Sequence, residues 1–161
     1  MRLLRHLFAP SAHGWFPPEA MARITAAIDA GELRHSGEIC FAVDPALHWL
    51  DVLRGEEPRA HAEDAFARLR VWDTEGNTGV LLYLLLADHR IEIVADRGLR
   101  GVDPARWRAI CDDIQAGLRG GPPADAIVRG IEALSDLLAE HAPLVPGRED
   151  RDELPNAPRI L

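Results

Sequence analysis

A three-layer α/β/α sandwich around a small mixed sheet is the fold the sequence predicts, and three observations carry it. Two segments, 37–43 beyond Glu38 and 80–87, are apolar on both alternating sets, as strands covered on both faces are. A segment with helical spacing lies between them, which makes the pair parallel with a right-handed crossover. A third strand, 90–95, follows after only two residues and so returns antiparallel.

Each element has a local reason. After Pro17-Pro18, the residues Met21, Ile24 and Ile28 recur at helical spacing, with proline opening the first turn and Gly31 marking the end. Asp44-Pro45 ends the first strand, and the stretch through Trp49, Leu50 and Leu53 is too polar and turn-rich to assign. From Arg59, the residues Ala62, Ala65, Phe66 and Leu69 give a second helix running to about Val71. The strands 80–87 and 90–95 are joined by Asp88-His89, read as a two-residue hairpin link. Asp103-Pro104 is an N-cap followed by proline, and Trp107, Ile110, Cys111, Ile114 and Leu118 then share one stripe. Gly120-Gly121-Pro122-Pro123 breaks that helix, and Ile127, Ile131, Leu134 and Leu138 mark the last one. The chain thus divides into a lead-in over 1–16, one domain over 17–142 and a polar tail over 143–161 that is disordered or laid over the surface.

Composition narrows the function classes. A chain of 161 residues suits one domain with a real core. Its 26 acidic and 18 basic residues give a net charge of −8, and every basic residue other than histidine is arginine. No stretch concentrates arginine without interleaved acid, which argues against nucleic-acid binding. Cys40 and Cys111 are isolated and flanked by apolar residues, as buried free thiols are. The N-terminal apolar run is too short and interrupted for a signal segment, and the longest apolar stretch, 80–87, is far short of the ~18 residues of a membrane span. A reducing, cytoplasmic setting without a membrane span is the expectation.

No phosphate-binding glycine loop, Gly-x-Ser-x-Gly elbow, His-Glu-x-x-His or Cys-x-x-Cys is present, nothing points to an organic cofactor, and most histidines read as surface residues. Topology gives the better lead. With the first two strands parallel and the third antiparallel, one sheet edge collects Ser36 and Glu38, then Thr74, Glu75 and Asn77, then Asp96, with Arg97 and Asp103 just beyond. Carboxylates from separate segments suit a hard cation such as Ca²⁺ or Mg²⁺, which takes six or more oxygen ligands. The same residues also serve as caps and turn formers, Asp103 capping its helix and 74–77 forming a polar turn. The opposite edge offers Asp44, His48, Asp88 and His89, where open α/β sheets more often bind ligands.

His35-Ser36-Gly37-Glu38-Ile39, then 70–83 with Thr74-Glu75-Gly76-Asn77-Thr78-Gly79-Val80-Leu81, then Asp96-Arg97-Gly98-Leu99 resemble, as an ordered set, the TPM-domain family, also known as TPM phosphatase. The resemblance extends to Gly130-Ile131 and Asp152-Glu153-Leu154-Pro155 and covers roughly residues 17–158. It implies a Rossmann-like α/β/α sandwich, divalent-cation binding in some members, an acid phosphatase activity proposed for plastid relatives, and membrane-complex maintenance in others. Carried over by position, Glu38, Glu75 and Asp96 are the metal candidates, with Ser36, Thr74 and Asn77 beside them. Thr78 and Gly76 depart from the family pattern and reduce the side-chain oxygens on offer. Two functions follow. One is a non-catalytic interaction or maintenance module that holds a divalent cation and meets a protein partner, at a membrane complex by the resemblance, with Trp15, Phe16 and Trp49-Leu50 as apolar anchors. The alternative is a metal-assisted acid phosphatase acting on phosphomonoesters, with Arg97 near the reacting group.

Overall fold

In the computed structural model of the chain, residues 1–147 and 152–161 are described. The elements run α1 (Arg2–Leu7), α2 (Ala12–Trp15), α3 (Pro18–Glu32), β1 (Glu38–Asp44), α4 (Trp49–Leu53), α5 (Pro58–Arg68), β2 (Gly79–Leu85), β3 (Arg90–Ala95), a 3-10 turn (Arg97–Leu99), α6 (Pro104–Gly120), α7 (Pro123–His141) and β4 (Arg159–Ile160). The sheet order is β3-β2-β1-β4. β1 and β2 are parallel, with Glu38 opposite Gly79, and β3 returns antiparallel, with Val80 opposite Ala95.

Alternation along the strands sorts the core into two layers. Ile39, Phe41 and Val43 with Val80, Leu82 and Leu84 face α3, α6 and α7. Cys40, Ala42, Leu81, Tyr83 and Leu85 face Ala62 and Ala65 of α5, together with Val52, Val71 and Leu154. Both faces are therefore covered, which explains why these strands read as continuous apolar runs. The expected three-layer sandwich is the observed one.

Several boundaries differ from expectation for local reasons. α5 stops at Arg68, and Arg70 takes φ 56, a left-handed conformation that ends the helix before Val71. The β2–β3 link is four residues, 86–89, because Leu86 and Ala87 leave the ladder to donate to the carbonyls of Asp44 and Pro45. His89 N–H then closes the turn on Leu86 at 3.0 Å, with His89 at φ 51. Gly79 opens β2 where the chain leaving α5 crosses it: a Cβ there would stand 1.9 Å from the Val71 carbonyl oxygen.

Four elements lie in stretches left unassigned by apolar periodicity. The lead-in holds α1 and α2, and Phe16 packs edge-to-face on Phe41 at 5.7 Å, so it is a core residue and not an interface anchor. The unassigned stretch after β1 holds α4. The polar tail ends in β4, which pairs parallel with Ala42 and Val43, and Leu154 is buried. Among the described residues no helix is long and apolar enough to cross a membrane.

Candidate functional site

At the start of β1 the sheet edge carries the loops the sequence singled out. Glu38 is buried there, and its N–H donates to the Thr78 carbonyl at 3.3 Å. Thr78 Oγ1 donates to the Ser36 carbonyl at 3.1 Å, and Ser36 Oγ donates to the Ala142 carbonyl at 3.2 Å. Residues 74–77 form the expected turn: Asn77 N–H bonds to the Thr74 carbonyl at 3.1 Å, Thr74 Oγ1 accepts from Thr78 N–H, and Asn77 sits at φ 52, which asparagine tolerates. Asp96 caps the 3-10 turn through Arg97 N–H at 2.7 Å, and its other oxygen is buried without a hydrogen bond. Arg97 Nε donates to Asn77 Oδ1 at 2.9 Å, and Asp103 caps α6 through Ala105 N–H at 2.8 Å.

The donor atoms that converge with Glu38 come from elsewhere. Glu32, at the end of α3, and Asp152, in the tail, place carboxylate oxygens with those of Glu38 within 4.8 Å of one another. Glu75 and Asp96 are not in that group. Glu75 meets the tail differently, its N–H donating to both oxygens of Glu153 at 3.0 Å.

The tail is held through these carboxylates. Glu38 accepts from Glu153 N–H at 3.1 Å and from Leu154 N–H at 3.3 Å. Asn156 Nδ2 donates to Glu32 Oε2 at 2.7 Å and to Asp29 Oδ1 at 2.8 Å, while its Oδ1 is buried without a hydrogen bond. Glu32, Glu38, Asp152 and Asn156, with Leu33 and Leu144, line a cavity of about 340 Å³.

Electrostatics set this cluster apart. Burial, reinforced by the Glu38 charge, pushes the Glu32 carboxyl up to about 8. Burial likewise pushes Glu38 up to about 7, against the lowering effect of its two backbone N–H bonds. Glu32 also stands at the C-terminus of a helix, where the macrodipole disfavours negative charge. Among the described residues no arginine or histidine forms an ion pair with Glu32, Glu38 or Asp152. An oxygen-only set with two reluctant carboxylates and an unbonded amide oxygen fits a hard dication.

The opposite edge is taken up structurally. Asp44 accepts from Tyr83 Oη at 3.0 Å, and burial raises its carboxyl above the ordinary range. Asp88 fastens α1, standing 2.9 Å from Arg2, 3.4 Å from Arg5 and 3.2 Å from His6. His48 caps α4 at Leu50 N–H, and His89 packs on Trp15 at 5.2 Å. His6 and His35 are buried, contrary to the surface reading, because each is tied to backbone: His6 Nδ1 accepts from Leu47 N–H at 3.0 Å and His35 Nδ1 bonds Gly37 O at 2.9 Å.

Glu32, Asp152 and Asn156 escaped the sequence reading. One signal was available for Glu32: an acid in the last turn of a helix with no basic residue there.

A family model described as the TPM domain matches residues 12–137. Among solved structures, the NMR structure of the BA42 protein from the psychrophilic bacterium Bizionia argentinensis is similar, with 26% identity, a TM-score of 0.80, and coverage of 93% of this chain and 98% of that one. No curated protein matches.

Proposed function

The chain belongs to the TPM domain family, and on that premise we propose that it is a non-catalytic binding module whose C-terminal segment is organised by a divalent cation. The observation that carries the reading is the convergence of Glu32, Glu38 and Asp152, two of them carboxylates that burial discourages from ionising. Calcium suits the set, since it takes six to eight oxygens at about 2.3–2.6 Å in a flexible shell. Glu32, Glu38 and Asp152 would hold it, with Asn156 lining the same cavity. The ion supplies positive charge, and the residues themselves tie tail to sheet.

The ligands come from α3, β1 and the tail, so occupancy sets how the tail lies. Leu33, Leu144 and Val145 are exposed at this end of the molecule, the first two lining the cavity itself. Exposed apolar side chains rimming a charged cavity are the anchors a protein partner uses. The protonated thiols of Cys40 and Cys111 suit a reducing compartment such as the cytoplasm.

Calorimetric titration with Ca²⁺ and Mg²⁺ tests the reading. One ion should bind, Glu32→Gln and Glu38→Gln should each weaken it about tenfold or more, and Asp44→Asn should leave it unchanged. Absence of heat, with no rise in melting temperature, sinks the proposal. Loss on Glu75→Gln and Asp96→Asn, with Glu32→Gln silent, moves the ion to the loop group. Hydrolysis of a chromogenic phosphomonoester that disappears in Glu38→Gln would favour the phosphatase alternative over the binding module.

A further inference from the structure

The way α4 ends brings two carboxylates side by side. Gly55 takes φ 74, a left-handed geometry open to glycine. Glu56 N–H then donates to the Asp51 carbonyl at 2.9 Å and Gly55 N–H to the Val52 carbonyl at 3.1 Å, the two bonds of a Schellman motif. The two positions joined by the bond that closes the wider, six-residue loop are commonly in apolar contact. Here they are Asp51 and Glu56.

α5 then carries a histidine over them. His61 Nε2 lies 3.0 Å from Glu56 Oε2, and this buried nitrogen is aligned for no hydrogen bond. Donor atoms of Asp51, Glu56 and His61 all fall within 4.8 Å of one another. An ion pair between His61 and Glu56 would explain their contact but leaves Asp51 unexplained, since its guanidinium neighbour Arg54 stands off at 3.8 Å.

One imidazole and two carboxylates make a donor set for a borderline cation. Zinc takes histidine nitrogen at about 2.0–2.1 Å and carboxylate oxygen at about 2.0–2.2 Å, and three protein ligands leave a position for water. Calcium prefers oxygen alone. We infer that Asp51, Glu56 and His61 form a zinc site, distinct from the carboxylate cluster at the start of β1. The backbone pins Asp51 and Glu56 before any ion arrives, and His61 closes on them with a small side-chain movement.

Titration of the untagged full-length chain, freed of metal by chelation, tests this. Zn²⁺ should bind at one equivalent, and Co²⁺ should develop a visible absorption band with the same stoichiometry. His61→Gln and Glu56→Gln should each weaken Zn²⁺ about tenfold or more, with far-ultraviolet dichroism unchanged. His48→Gln and Glu38→Gln should leave Zn²⁺ binding intact, which separates this site from calcium uptake. No Zn²⁺ binding, or binding that survives both His61→Gln and Glu56→Gln, overturns the inference.

Discussion

Glu38 concentrates the chemistry of this molecule in one carboxyl. Its ordinary value near 4.5 rises to about 7 in the folded chain, first because burial penalises the charge. The unfolded chain releases that proton at lower pH than the folded one, so without metal the contribution of Glu38 to stability is fullest below 4.5 and falls as pH climbs toward 7. Glu32, pushed up to about 8, extends the fall by another unit. In chelated protein the melting temperature should therefore drop between pH 5 and 8, and Glu38→Gln should flatten that slope. The slope is the readout, because glutamine also forfeits one of the two backbone bonds, worth about 1 kcal/mol at any pH. A slope unchanged in Glu38→Gln would contradict the assignment. Cys40 and Cys111, pushed by burial to about 11, should resist iodoacetamide at pH 8 in the native chain and react readily once it is unfolded, as mass spectrometry would record. Glu38 was legible from its place at a strand start. Its partners were not, because Glu153 lies 115 positions away and only tertiary structure joins them.

Long elements declared themselves and short ones did not. α3, α6 and α7 carry enough turns for apolar periodicity to show, and proline stands in the first turn of each. α4 has five residues and β4 two, too few for either period to register. α1 is likewise short, and it is held by charge as much as by burial. Asp88, nearly buried, faces Arg2, Arg5 and His6 at once. Asp88→Asn removes the common partner of two guanidinium groups and an imidazole and should cost about 3 kcal/mol in urea unfolding. An effect below about 0.5 kcal/mol would mean that these pairs behave as exposed surface bridges.

At the scale of the whole molecule, the two ends of the sheet differ in chemistry: carboxylates converge at the start of β1, and Asp44 and Asp88 make structural contacts at the other end. The order of elements already placed the starts of β1 and β2 beside the end of β3, and the structure keeps that arrangement. What the sequence could not supply was the fourth strand: β4 carries the tail along β1, so 152–156 crosses the mouth of the carboxylate cluster. Of the acids behind the formal net charge of −8, Glu32, Glu38 and Asp152 meet at one place, where burial holds the first two back from ionising. The proposed dication would fasten the tail to α3 and β1. Amide hydrogen exchange of residues 152–156 near pH 8, with calcium or with chelator, tests it most directly. Calcium should slow exchange at Glu153 and Leu154 in the wild type and have no effect there in Glu32→Gln. Exchange in the wild-type tail that is the same with calcium and with chelator would contradict it.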